Sequence, residues 1–182
     1  MAHLVDWVWQ AVASIASWWM LAVLAALVVF FALALFAPRR RSYLPARTFD
    51  GRAEGFRPSQ VETILSDFNP TQLQTYLNQA RGIDMVFPIL YSVMGAMAIV
   101  LFAPRLQGFR WLVLLPFLMA LADYVENVCV ITVIGRHRRG QSFGGVDNVL
   151  ALATPTKYVF FGASSVALLL LIVSWAIRAL RT

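Results

Sequence analysis

Four long stretches of almost uninterrupted apolar residues constrain this chain more than any other feature. They cover about residues 17–36, 85–102, 111–134 and 158–177. A helix needs about 20 apolar residues to cross the hydrocarbon core of a bilayer. The composition agrees, because 60% of the 182 residues are hydrophobic and 13% are charged, about half the charged fraction of a soluble domain. The sequence predicts an all-α integral membrane protein, a single membrane domain with four transmembrane helices in a bundle.

The residues before the first span predict a segment at the membrane surface. Residues 4–16 place Asp6 and Gln10 among apolar residues, and tryptophans lie on both sides of the junction with the span. Tryptophan is enriched at membrane–water interfaces. A cleaved signal peptide is the competing interpretation, but this segment lacks the basic N-terminal region of a signal peptide and its apolar core is too long. We therefore expect an interfacial N-terminal segment.

Basic residues are distributed unevenly between the two sides that four spans would separate. Eleven of the 15 Lys and Arg residues lie in the connections at about 38–82 and 135–157, and four lie elsewhere. Cytoplasmic loops of membrane proteins carry such an excess. We predict that both connections are cytoplasmic and that the N- and C-termini are periplasmic or extracellular. In a bacterium this would be the inner membrane. The same rule accounts for the net charge of +6, so we predict no nucleic-acid partner.

The first connection is too long to be a plain linker. We expect an irregular beginning over residues 37–58, then one or two amphipathic helices. Ser59 and Glu62 have the spacing of a capping box, and Asn69 before Pro70 is a second start signal. Two apolar stripes follow these signals: Val61, Ile64, Leu65 and Phe68, then Leu73, Tyr76, Leu77 and Ala80. Such helices lie either on the membrane surface or as a lid over a cytoplasmic opening, and the sequence leaves both alternatives open.

The third span contains polar residues that are costly inside a membrane. Its centre reads ADYVENV and includes Asp123, Glu126 and Asn127. At ~100° per residue, Glu126 is about 60° and Asn127 about 40° from Asp123, so all three share one face of a helix. An ionised carboxylate that faces lipid at this depth costs several kcal/mol. We therefore expect this face to point into the bundle, with its carboxylates paired, hydrated or protonated.

Partners for these carboxylates are predicted at the cytoplasmic ends of the second and fourth spans. Thr154 and Pro155 have the pattern of a helix start, which would place Lys157 in the first turn of the fourth span. The helix dipole disfavours a cation there, so we predict that Lys157 pairs with Glu126 or, as a second choice, Asp123. In the second span, Pro88 frees the carbonyl of Asp84.

These residues form the predicted site. Asp123 and Glu126 are the catalytic candidates, because two carboxylates with different environments can serve as acid and base. Structural pairing between helices is the alternative interpretation of the whole cluster. The predicted ligand-binding residues are Asp84, Tyr91, Asp123, Glu126, Asn127 and Lys157.

Three functions are compatible with this pattern. The first is a membrane protein that binds or acts on a lipid-like or amphipathic ligand, with Lys157 at a helix start attracting an anionic group. The second is an accessory or assembly subunit of a larger membrane complex. The third is a proton-coupled carrier that works as a homo-oligomer, with Asp123 or Glu126 as the titrating group. Membrane lipids are the expected partners in each case.

No metal or other cofactor is predicted. The chain has one cysteine, Cys129, and two histidines, so thiolate and imidazole sites have few ligands available. A cation would also be repelled by Lys157 if that residue lies beside the carboxylates. The second connection contains the sequence SFGG, which matches no phosphate-loop pattern.

Overall fold

The computed structural model describes residues 2–40, 48–103 and 107–181. Within these ranges the chain is all-helical and contains no strand. Three short 3-10 helices, Phe49–Gly51, Pro58–Gln60 and Gln107–Val113, connect the α-helices. The α-helices are α1 (Ala2–Ile15), α2 (Trp18–Arg40), α3 (Val61–Ser66), α4 (Pro70–Arg81), α5 (Ile83–Phe102), α6 (Leu114–His137) and α7 (Val146–Ala179).

Four helical stretches among the described residues are long and apolar enough to cross a membrane. They lie within Trp18–Leu35, Pro70–Phe102, Gly108–His137 and Val146–Ala179, so each predicted span corresponds to one of them. The mutual arrangement of these helices follows from their contacts: α6 packs along α7 and along α5, and α2 packs along α5.

The N-terminal segment forms a helix of its own at one end of the structure. Ser17 separates it from α2 and accepts a hydrogen bond from the Met20 backbone N–H at 3.2 Å, which is an N-cap contact. Val12 of α1 is buried against Met97 and Val113, so α1 contacts the C-terminal end of α5. We call this the aromatic end of the molecule, because Trp18, Phe102 and Trp175 meet there.

Residues 48–81 cover the opposite end of the helices, and we call them the cover segment. The segment is largely helical, which confirms that prediction. The apolar residues of both predicted stripes are buried against protein, mainly against the C-terminal part of α6 and the start of α7. The stripes therefore face the helix ends and not a membrane surface. The predicted irregular beginning falls partly on residues 41–47, which lie outside the described residues.

One of the two predicted cap signals in the cover segment is correct. Asn69 caps α4, because its Oδ1 accepts from the Gln72 backbone N–H at 2.9 Å. The predicted Ser59–Glu62 capping box is wrong. Helical structure begins one residue earlier, at Pro58, and the Gln60 side chain accepts from the Arg57 backbone N–H at 2.7 Å. Proline has a preset φ angle and no N–H to lose, so it begins a helix readily.

The predicted helix start at Thr154 and Pro155 is also wrong. Helix α7 begins at Val146, so Thr154 and Pro155 lie in its interior and most of the predicted 135–157 connection is helical. Gly145 has a φ of 84°, a conformation that glycine adopts without strain, and it ends the turn after α6. Lys157 is therefore three turns inside a helix, and the argument from the helix dipole does not apply to it.

Candidate functional site

The candidate site lies where α5, α6 and α7 meet beneath the cover segment. Helix α6 carries Asp123, Glu126 and Asn127 on one face, as the helical spacing predicts. Helix α7 brings Lys157 to this face, and α5 brings Asp84 and Tyr91. The structure thus places all six predicted residues in one region, although they come from three helices.

Lys157 is the centre of a buried ion-pair network. Its ammonium group donates to Glu126 Oε2 and to Asp123 Oδ1, the latter at 3.2 Å. The side chains of Lys157, Asp123 and Glu126 are 11%, 15% and 0% exposed. The predicted pair between Lys157 and Glu126 is confirmed, and Asp123 joins it. One cation is therefore shared by two carboxylates.

Glu126 is held from both sides and is fully buried. Its second oxygen, Oε1, accepts from the Thr154 hydroxyl at 2.5 Å. Thr154 is itself fully buried in the interior of α7. Both carboxylate oxygens of Glu126 thus have partners within the protein, and its position is that of a residue which orients Lys157.

Asp123, in contrast, faces a cavity. Its Oδ2 accepts from the Tyr91 hydroxyl at 3.0 Å, and its Oδ1 accepts from Lys157. Hydrogen bonds therefore run without a break from Tyr91 through Asp123 and Lys157 to Glu126. A carboxylate oxygen has two lone pairs, so Asp123 can accept further hydrogen bonds from a molecule in the cavity.

Asn127 has a structural contact that the sequence partly predicts. Its side-chain amide donates to the carbonyl of Asp84 at 2.9 Å. This is the carbonyl that Pro88, four residues later in α5, leaves without its helical donor. The next carbonyl, that of Met85, accepts from the Tyr124 hydroxyl at 2.7 Å. Two side chains of α6 thus support the proline-interrupted turn of α5.

A polar cavity of about 600 Å³ opens beside this network. Residues of α2, α4, α5, α6 and α7 surround it together with the start of the cover segment. Its charged and polar lining residues are Asp50, Gln79, Asp84, Tyr91, Asp123, Asn127, Lys157 and Tyr158.

A second, apolar cavity of about 260 Å³ adjoins the polar one. Four residues line both cavities: Phe87, Tyr91, Met119 and Phe161. On α5 the lining of the apolar cavity extends from Phe87 to Ile99, which is roughly 18 Å at the helical rise of 1.5 Å per residue. The lining becomes polar at Tyr91, because the Tyr91 hydroxyl belongs to the hydrogen-bond network with Asp123.

The cover segment forms the roof of the polar cavity. Tyr158 of α7 donates to the backbone carbonyl of Asp50 at 2.5 Å, and Tyr76 of α4 donates to the Asp50 carboxylate at 3.3 Å. Burial, followed by the nearby Asp50 carboxylate, raises the pKa of Tyr76 well above its ordinary value, so this phenol is a neutral donor. These bonds tie the beginning of the cover segment to α4 and α7.

Gln79 is the residue of the roof that sequence reasoning missed. It is 8% exposed, lines the polar cavity, and its Oε1 makes no hydrogen bond to the described part of the chain. A buried amide oxygen without a partner costs free energy. The sequence contained a signal for this residue, because Gln79 is a polar side chain about 60° from Tyr76, on the apolar stripe of α4. Phe161 and Met119 were also missed as lining residues, because apolar residues in a span carry no such signal.

The site is poorly suited to a metal ion. Among the described residues, no group of three or more His, Cys, Asp or Glu side chains could hold one. Where two carboxylates do approach each other, at Asp123 and Glu126, the Lys157 ammonium lies between them. The arrangement can instead accept hydrogen bonds from, and donate them to, a polar group at the edge of an apolar cavity.

Comparisons with models of protein families, with curated proteins and with solved structures find no match to this chain.

Proposed function

We propose that this chain is a four-helix membrane protein that binds an amphipathic, lipid-like ligand. The polar head of the ligand would occupy the cavity beside Asp123 and Lys157, and its apolar tail the cavity between Tyr91 and Ile99. The single observation that carries this proposal is that a polar and an apolar cavity are neighbours and share four lining residues. An amphipath matches this change of polarity along its own length.

The hydrogen-bonding groups favour a head group that donates hydrogen bonds, such as a hydroxyl or an amine. Gln79 Oε1 and the Asp123 carboxylate are acceptors at the cavity. The expectation that Lys157 attracts an anionic group loses its support, because two carboxylates share its charge and it is distant from the start of α7. A buried ammonium paired in this way has little electrostatic attraction left for an anion.

The exposed faces of the helices support placement in a membrane. Bulky apolar residues of α2 and α7 are exposed, among them Phe30 at 65%, Leu33 at 60% and Val159 at 68%. Soluble proteins rarely expose contiguous apolar surface of this kind. With the termini outside, as the basic residues predict, the polar cavity and the cover segment would be at the cytoplasmic side.

A test of ligand binding compares what co-purifies with three forms of the protein. We would isolate the wild type, Ser164→Phe and Leu169→Phe in nanodiscs and identify retained molecules by mass spectrometry. Ser164 lines the apolar cavity, whereas Leu169 is 61% exposed on the same helix. We expect one discrete amphipath to be retained by the wild type and by Leu169→Phe, and to be lost from Ser164→Phe.

The same experiment addresses the other functions. If no species is enriched over bulk lipid, or if Ser164→Phe retains it fully, the binding proposal fails. Stoichiometric co-purification of other proteins would favour an accessory subunit of a membrane complex.

The chain of hydrogen bonds from Tyr91 to Glu126 is the one observation in favour of a proton-coupled carrier. A separate experiment, proton uptake by liposomes that contain the protein, would test this function.

A further inference from the structure

Both cavities lie along the seam between α2 and α7. On α2, Val28 lines the apolar cavity, and Ala32 and Leu35 line the polar one. On α7, Phe161 lines both, and Leu168 lines the apolar cavity. Both helices therefore contribute to the walls of the space that we assign to the ligand.

The seam is closed at the aromatic end and not along its middle. The ring of Trp18 in α2 is 6.2 Å from that of Trp175 in α7, and both rings contact Phe102. Beyond this cluster, towards Lys157, the cavities lie between the helices. Helix α2 has the least burial against protein of the four long helices, because none of Trp18–Leu35 is buried. An element with few buried apolar contacts moves at low free-energy cost.

Of the four residues that line both cavities, Phe161 is the most exposed. Its side chain lines both cavities, yet 52% of the residue is exposed. A residue that faces the interior and the exterior at once lies at an opening. The alternative route, through the cover segment, would break a buried cluster that includes Phe49, Leu65 and Tyr76, which is far more costly.

We propose that the ligand enters sideways from the lipid phase, through an opening between α2 and α7 that Phe161 gates. This inference rests on the proposed binding function. It identifies the source of the ligand as a membrane leaflet, since the exposed faces of α2 and α7 on both sides of the seam are apolar. The tail and the head can then move into the two cavities together, without the tail passing through water.

The first experiment measures the kinetics of loading. A monoacylglycerol, whose head group carries two hydroxyls, is prepared with a photoactivatable diazirine in its tail and mixed with the protein in nanodiscs. Flash photolysis at successive times after mixing, and again after a chase with unlabelled monoacylglycerol, gives adducts on Met94 and Met119, which line the apolar cavity, and thus the rates of entry and exit. Removing a gate raises the rates of entry and exit together, whereas removing a binding contact raises the exit rate alone. For Phe161→Ala we expect both rates to rise by roughly threefold or more. Leu169→Ala, the exposed control on the same helix, should change neither.

The second experiment locks the seam. In a Cys129→Ala background, Ala32→Cys and Phe161→Cys are bridged with a bis-methanethiosulfonate reagent, which reduction removes. We expect bridging to slow labelling of Met94 and Met119 by roughly tenfold or more and reduction to restore it. The unbridged, reduced protein is the control for folding.

The outcomes separate the two proposals. Equal loading rates with and without the bridge, or a Phe161→Ala effect on exit alone, would overturn the lateral opening while the binding site stands. If the wild type never labels Met94 or Met119, the binding proposal fails and the opening fails with it.

Discussion

Each end of this molecule contains an ion pair between a basic side chain and a carboxylate, but only the pairing beneath the cover segment is buried. Beneath the cover segment, Lys157 lies between Asp123 and Glu126, and none of the three side chains is more than 15% exposed. At the aromatic end, Arg110 pairs with Asp6 at 3.0 Å, and these side chains are 32% and 50% exposed. Exposed pairs contribute about 0–1 kcal/mol, whereas loss of one member of a buried pair costs about 3–5 kcal/mol. A buried ion pair therefore constrains the arrangement of its side chains, whereas an exposed ion pair does so only weakly.

The largest expected effect follows from removal of the buried cation. Lys157→Met leaves two buried carboxylates without their counter-ion, and we expect the free energy of unfolding to fall by about 3–5 kcal/mol. Adding Glu126→Gln should recover part of the loss, and adding Asp123→Asn as well should recover more. Unfolding of the single, double and triple variants in one detergent measures this coupling. Losses that simply add would contradict the shared network.

The support of the proline-interrupted turn is the next effect in size. Asn127→Ala removes the donor to the Asp84 carbonyl, which Pro88 deprives of its helical partner, and should cost about 1–3 kcal/mol. In the Pro88→Ala background, residue 88 can donate to that carbonyl itself. We therefore expect Asn127→Ala to cost clearly less there, by the same unfolding assay. An equal cost in both backgrounds would assign the effect of Asn127 to packing alone.

A smaller effect is expected at the aromatic end. Trp18→Leu removes the edge-to-face contact with Phe102, at a centroid distance of 5.2 Å, and keeps an apolar side chain. Aromatic pairs contribute about 0.5–1.5 kcal/mol beyond the area that they bury. We expect a loss within that range. A loss as large as that of Lys157→Met would remove the contrast between the two ends.

The smallest effect is expected for the exposed pair. Asp6→Asn removes a charge next to Arg110, which also contacts the Trp9 ring at 5.8 Å. We expect a loss of less than about 1 kcal/mol that decreases as salt is added. Thermal unfolding at low and high ionic strength measures it, with Lys157→Met as the reference, since screening of a buried pair is much weaker.

The sequence by itself determined the helical content, the four apolar stretches and the shared face of Asp123, Glu126 and Asn127. It also determined that residue 88, a proline, cannot donate to the Asp84 carbonyl, and it determined both apolar stripes of the cover segment. These features depend on local periodicity or on the covalent structure of proline, and a single chain segment carries each of them.

The tertiary structure decided what those segments contact. The start of α7 could not be predicted because Thr154 and Pro155 have the pattern of a helix start, while their positions inside a helix depend on packing against α6 and the cover segment. The cavity residues Gln79, Met119 and Phe161 come from three helices that are distant in sequence. Tertiary packing also gives the two carboxylates of α6 different surroundings. Glu126 is enclosed by Lys157 and Thr154, whereas Asp123 faces the cavity. Helical spacing places both carboxylates on one face, but only the neighbouring helices determine which of them remains accessible from the cavity.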